Sequence, residues 1–196
     1  MKEKGNTRER ILEEAIKLFS IKGYDAVSVR AIADEVGIVN SALYKFYDSK
    51  QDIFDTIVDR SKERYLDTCT AAVNRNTRGA EQIKEVCLGM YNYQTNDQWI
   101  VMFRKILTME QFKNPKMAEI YKEFFIDIPL RRQQEIFKVL IAKGYMKNRD
   151  PNVLAMELYA PFYMYHMVKA DEGELMKLFT KHAEYFFENN VLIRSE

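Results

Sequence analysis

Glycine, proline and cysteine are scarce in this chain: among 196 residues there are seven Gly, four Pro and two Cys. Two cysteines, Cys69 and Cys87, make no framework of pairs, so a disulfide-stapled secreted domain is not expected. Histidine is limited to His166 and His182, with no H-E-x-x-H spacing, and no glycine-rich phosphate loop is present. The sequence therefore implies no metal, no cofactor and no enzyme. No run approaches the ~18 consecutive apolar residues of a membrane span. The opening MKEKGNTRER lacks the apolar core of a signal peptide. A reduced, cytoplasmic protein without membrane contact is the expectation. Net charge is also nearly missing, at +1 overall. Residues 1–50 hold nine Lys/Arg against eight Asp/Glu, again a net +1. A surface for nucleic acid would have to come from placement of charge, not from its total.

What is present is a helical pattern with enough apolar residues, 47% of the chain, to bury a core. The few Gly and Pro fall where helices start or stop. Thr7 is the expected cap of a first helix carrying Ile11, Leu12, Ala15, Ile16 and Phe19, stopped at Gly23. Ser28 caps a second short helix, which Gly37 ends. A third covers about Asn40–Tyr47, and Ser49 caps a fourth near 50–74. Further helices are predicted near 79–95, 98–111, 115–143, 151–169 and 173–190. Asn114–Pro115 and Asp150–Pro151 serve as starts, and Pro129 kinks the long one. The fold class is all-α, about nine helices. No strand-like alternation, repeat or low-complexity tract interrupts it.

The segment AIADEVGIVNSALYKFYDSK, residues 31–50, carries the clearest signal. Ala33 is the small residue where two helices cross, Gly37 supplies the turn, and Ile38 tucks into the corner. Leu43 and Phe46 bury the inner face of the next helix. This is the spacing of a helix-turn-helix. It leaves Asn40, Ser41, Ala42, Tyr44 and Lys45 on a free face. Asn can bond adenine, Lys can meet guanine or phosphate, Ala can touch a thymine methyl, and Tyr can reach phosphate or sugar. Ser28 and Arg30 at the start of the second helix, and Lys50 at the start of the fourth, are candidate phosphate contacts.

The stretch TRERILEEAIKLFSIKGYDAVSVRAIADEVGIVNSALYKFYDSKQDIFDTIVD resembles the N-terminal domain of the tetracycline-repressor (TetR) family of transcriptional regulators. The motifs ILEEAIKLFSIKGYDAVSV, IADEVGI, LYKFYDSK and DIF carry the resemblance. It implies a homodimer that binds operator DNA, with a DNA-binding domain at 1–49 and a helical ligand-binding and dimerisation domain at 50–196. It also implies that ligand entry moves the fourth helix. By position, Tyr44 and Lys50 match usual phosphate contacts, and Asn40, Ser41, Ala42 and Lys45 match variable base-reading positions. Val39 departs from the family, which often has a capping Ser or Thr there. Asn40 is the alternative cap, a role that would take it partly out of base reading.

The later helices are dense in soft and aromatic side chains. Tyr91, Trp99, Met102, Phe103, Tyr121, Phe125, Phe162 and His166 are candidates to line a site for an apolar or aromatic small molecule. They could equally be core. The helix at 173–190 puts Leu175, Leu178, Phe179, His182, Ala183 and Phe186 on one stripe. With the preceding helix it is the expected dimer surface, a four-helix bundle across a two-fold axis. Cys69 and Cys87 read as small buried hydrophobes. The reading that follows is a ligand-released repressor acting as a homodimer. The alternative is a TetR-like helical protein that binds a partner protein or ligand without operator DNA.

Overall fold

The computed structural model describes residues 2–73, 80–166 and 172–192. These residues form α1 (Lys2–Lys22), α2 (Val29–Val36), α3 (Asn40–Leu43), α4 (Lys50–Val73), α5 (Ala80–Asn96), α6 (Gln98–Glu110), α7 (Pro115–Lys122), a π-helical turn (Glu123–Asp127), α8 (Ile128–Ala142), α9 (Pro151–His166) and α10 (Glu172–Asn190). α7, the π turn and α8 run on without a break, so the described residues make nine continuous helices and the fold is all-α. The one strand-like feature among them is an antiparallel bridge between Met146 and Val191. It pins the segment after α8 to the end of α10.

Three local expectations are corrected. α1 begins at Lys2, so Thr7 lies inside it and is not its cap. The good helix formers Lys2, Glu3 and Lys4 carry the helix past Gly5. α3 ends at Leu43 and continues as tighter turns to Phe46, short of Tyr47. The 115–143 helix is not α-helical throughout. A π turn precedes the proline, with the Ile128 N–H bonded to the Glu123 carbonyl five residues back.

The chain divides into two compact units. One holds Met1–Asp67 with Asp97–Tyr121, the other Thr68–Asn96 with Lys122–Glu196. This grouping differs from the expected division at residue 49, because α6 packs on α1. The first unit is built on the apolar stripe of α1: Ile11, Ala15, Ile16 and Phe19 are buried with Ile32, Ala33 and Val36 of α2. Leu43, Tyr47, Ile53, Phe54, Ile57, Phe103, Ile106 and Leu107 complete this core. Side chains repeating every three or four positions share one helix face, so burial of one stripe per helix is what the sequence period requires.

The second unit has an aromatic core. Tyr91 stacks on Phe162 with ring centroids 4.9 Å apart, and Phe179 lies 5.3 Å from Tyr91 and 5.1 Å from Phe162. Phe137 meets Phe186 at 5.5 Å. Phe179 is 1% exposed. The expected α10 stripe therefore splits: Leu175, Phe179, Ala183 and Phe186 face this chain's own core, and Leu178 remains exposed.

Candidate nucleic-acid interface

The geometry of the corner follows from its caps. Ser28 Oγ accepts from the Ala31 N–H at 3.1 Å and starts α2. Gly37 sits at φ 75°, ψ 34°, in the left-handed region that favours glycine. It lets the Gly37 N–H reach the Asp34 carbonyl at 3.1 Å and the Ile38 N–H reach Ala33 at 3.0 Å, closing the helix end. Arg10 of α1 donates to the Val36 carbonyl at 2.7 Å, adding a cation at the negative end of α2. α3 then begins at Val39, whose side chain makes no cap and is 70% exposed. The cap is backbone only, from the Ala42 N–H to the Val39 carbonyl at 2.9 Å. Asn40 does not cap in its place, and its amide is spent on no other described residue.

Asn40, Ser41, Tyr44 and Lys45 are exposed, Ala42 is half-buried, and Leu43 beneath them is fully buried. Arg30 is also exposed, while Ser28 is exposed but committed to its cap. The structure thus brings the expected reading residues onto one short outer turn held from below by a packed core.

Lys50 is placed differently from its expected role. Its Nζ donates to the carbonyls of Tyr24 and Val27 at 3.0 Å each and of Asp25 at 3.4 Å, and lies 4.3 Å from the centre of the Tyr24 ring. An ammonium has three N–H donors. All three are turned inward, where they tie α4 to the loop between α1 and α2. α4 itself is started by Ser49 Oγ, which accepts from the Asp52 N–H at 3.0 Å, while the Asp52 carboxylate accepts from the Asp48 N–H at 3.0 Å.

Sequence reasoning missed what holds this loop from the other side. Glu110, at the end of α6 and 3% exposed, accepts from the Tyr24 N–H at 2.9 Å. The Tyr24 hydroxyl donates to Gln51 at 3.0 Å, Gln51 donates to Asp55 at 2.9 Å, and Lys116 of α7 meets Asp55 at 3.0 Å. A polar path therefore runs from α6 and α7 to the start of α4 and the corner loop. Burial raises the Tyr24 phenol above its ordinary pKa, aided by the Asp55 and Asp25 charges. Burial likewise raises that of Tyr47. No sequence signal marks the Glu110–Tyr24 contact, because its partners are 86 residues apart.

The candidate ligand residues fall in both units. Trp99, Met102, Phe103 and Tyr121 belong to the first. Trp99 donates its Nε1–H to Ser61 at 2.9 Å and is flanked by Arg60 and Arg64, so in this structure it braces α6 on α4. Tyr91, Phe125 and Phe162 belong to the second unit, where all three are buried. The Tyr91 hydroxyl donates to the Leu158 carbonyl at 2.9 Å, and burial holds it well above the ordinary phenol range. The His166 side chain lies outside the described residues, as does that of Cys69. Cys87 is enclosed in the second core, and burial pushes its thiol up to about 12, which makes it unreactive.

Comparison with known proteins agrees with this geometry. The model of the family "Bacterial regulatory proteins, tetR family" matches residues 11–57. The biofilm operon icaADBC HTH-type negative transcriptional regulator IcaR of Staphylococcus aureus (strain Newman) is 41% identical over 145 residues, 68% of this chain and 77% of that protein. The probable HTH-type transcriptional regulator YttP of Bacillus subtilis (strain 168) is 26% identical over 152 residues, 72% of this chain and 66% of that protein. A TetR transcriptional regulator from Chloroflexus aurantiacus J-10-FL shares the fold, with a TM-score of 0.74 at 19% identity over 98% of this chain and 100% of that chain. These relatives are regulators, not enzymes. The helix-turn-helix at residues 29–47, the all-helical chain that follows it and the IcaR similarity place the chain in the TetR family of transcriptional regulators, which bind DNA through that corner.

Proposed function

We propose that the chain is a homodimeric operator-binding repressor released by a small apolar or aromatic molecule, and that it works in the cytoplasm. The observation that carries this reading is the outer turn of α3. Asn40, Ser41, Ala42, Tyr44 and Lys45 stand clear of the core with a buried Leu43 beneath them, as a helix entering a major groove requires. Within this reading residues 1–49 are the DNA-binding domain and 50–196 the ligand-binding and dimerisation domain. Tyr44 and Arg30 meet phosphate, Lys45, Asn40, Ser41 and Ala42 meet base edges, and Ser28 and Lys50 support the frame. A negative regulator at 41% identity supports the sign of regulation.

The dimer forms through α9 and α10, whose outward faces expose Val153, Met156, Met164, Leu178 and Tyr185. Buried Tyr91, Phe125 and Phe162 supply adaptable aromatic surface for the ligand. No helix among the described residues is long and apolar enough to cross a membrane. Selection of bound fragments from genomic DNA tests the reading, with Lys45→Ala as the probe. The wild type should return one motif in a salt-sensitive complex. Lys45→Ala should lose about 1–3 kcal/mol at one base position. A dimer that selects no motif at low salt would favour the partner-binding alternative.

A further inference from the structure

A second polar site lies in the first unit, beside the reading turn and sharing Lys45 with it. α1, the turn after α3 and α4 enclose a groove of about 510 Å³ lined by Arg8, Glu9, Lys45, Tyr47, Thr56 and Arg60 among others. The size falls within the range of small-molecule sites, roughly 300–1,000 Å³. Three of its four charged side chains are cations. Glu9 and Arg60 form an ion pair and neutralise each other. Arg8 is exposed and lies over the Tyr47 ring, 5.2 Å from its centre, so the ring holds the guanidinium plane at the wall of the groove. Lys45, exposed, has no carboxylate partner among the described residues. Two positive charges are thus left uncovered at one concave place, in a segment whose total balance is only +1. An anion of two or more charges suits that excess, and the guanidinium fork favours phosphate oxygens.

We infer that this groove binds a phosphorylated small molecule and that its occupancy weakens operator binding. The antagonism follows from Lys45, which cannot both close on an anion in the groove and extend to a base edge. It is reinforced by charge, because a bound dianion would turn the sign of the near-neutral head. The occupant inferred is a free anion, and the operator affinity of Arg60→Gln without that anion separates it from a backbone phosphate of DNA. The site lies outside the proposed apolar ligand site, and its binding test does not depend on that site or on any operator.

Inorganic pyrophosphate is the probe, titrated into the full chain by calorimetry at constant ionic strength set with chloride. Saturable binding of one pyrophosphate per chain is expected. It should be at least tenfold weaker in Arg8→Gln, and in Arg60→Gln, which frees the Glu9 carboxylate. In wild type, pyrophosphate should weaken the operator complex more than chloride at equal ionic strength, and Arg60→Gln should abolish that excess while keeping operator affinity. No saturable binding, or equal binding by both variants, would overturn the site. Binding with no effect on the operator complex beyond that of chloride would overturn the antagonism. A loss of operator affinity in Arg60→Gln without pyrophosphate would make the groove part of the DNA surface and refute a free occupant.

Discussion

Lys50 shows how one residue's role is set by its surroundings and not by its place in a motif. By position it matches a phosphate contact. In the structure its ammonium serves three carbonyls of the α1–α2 loop and covers the Tyr24 ring. Lys50→Met keeps the stem and removes the donors. It should cost about 1–3 kcal/mol in chemical denaturation, the usual penalty for part-buried acceptors left unpaired. The slope of log affinity against log salt should stay near that of wild type. A slope reduced by about one, without loss of stability, would restore Lys50 as a phosphate anchor. Gly23 is fixed by the same loop. Its φ is +83°, and a Cβ there would lie 2.8 Å from Glu110 Oε1. Gly23→Ala should therefore cost more than the ~1 kcal/mol of a left-handed alanine alone, and a melting temperature equal to wild type would refute the Glu110 contact. Tyr24 adds a pH dependence. Its folded pKa is raised by burial, so the folded state holds this proton more tightly than the unfolded chain. Its contribution is full below the ordinary phenol pKa of 10.0 and is lost as pH rises through the folded value. Tyr24→Phe should flatten the alkaline fall in stability, and identical profiles for the two proteins would exclude the effect.

At the scale of the helix, two prolines remove donors and two side chains replace them. Pro129 has no N–H, and in α-helical register its partner would be the Phe125 carbonyl. The Tyr159 hydroxyl donates to that carbonyl at 2.7 Å. Pro161, inside α9, similarly deprives the Glu157 carbonyl, and His182 Nε2 lies 2.9 Å from it. A carbonyl only accepts, so His182 Nε2–H is the donor in this contact. These two contacts tie the π turn to α9 and α9 to α10. Tyr159→Phe should cost about 1–3 kcal/mol, and clearly less in a Pro129→Ala background, where the helix supplies its own donor. Equal costs in both backgrounds would show that the proline does not create the vacancy. Much of this fold was legible in the sequence, and for local reasons. Ser28, Gly37, Asn114–Pro115 and Asp150–Pro151 act within a few residues of themselves, so their spacing reports what they do. The outer turn was legible because Leu43 and Phe46 mark which face is inward. The end of α3 was not, because intrinsic preference there is nearly balanced, and the start of α1 was misplaced because Thr7 offers a capping side chain inside a run of helix formers. The π turn, the Tyr159 and His182 bonds and the Glu110–Tyr24 contact were hidden for another reason. Each joins segments far apart in sequence, where no period links the partners.

For the whole molecule, the dimer is the arrangement on which operator binding turns, since two reading heads must be held at a fixed spacing. The expected interface stripe on α10 included Phe179. Its ring instead packs on Tyr91 and Phe162 of the same chain, so a charge there attacks the core of the protomer. Phe179→Glu would bury an unpaired carboxylate and unfold the unit, which says nothing about association. The discriminating positions are those that the single chain leaves uncovered. Met156 is 53% exposed on α9 and Leu178 46% exposed on α10. A carboxylate at either place is solvated in a lone protomer and desolvated only if a second copy covers it. The double variant Met156→Glu with Leu178→Glu should therefore keep the wild-type helical circular dichroism and a cooperative melt, yet sediment as a monomer. Its operator affinity should fall steeply, because each half-site must then be filled independently and the effective concentration supplied by the partner is lost. An intact dimer in sedimentation would place the interface on other surfaces. A folded monomer that still binds the operator with wild-type affinity would mean that this regulator reads DNA with one head.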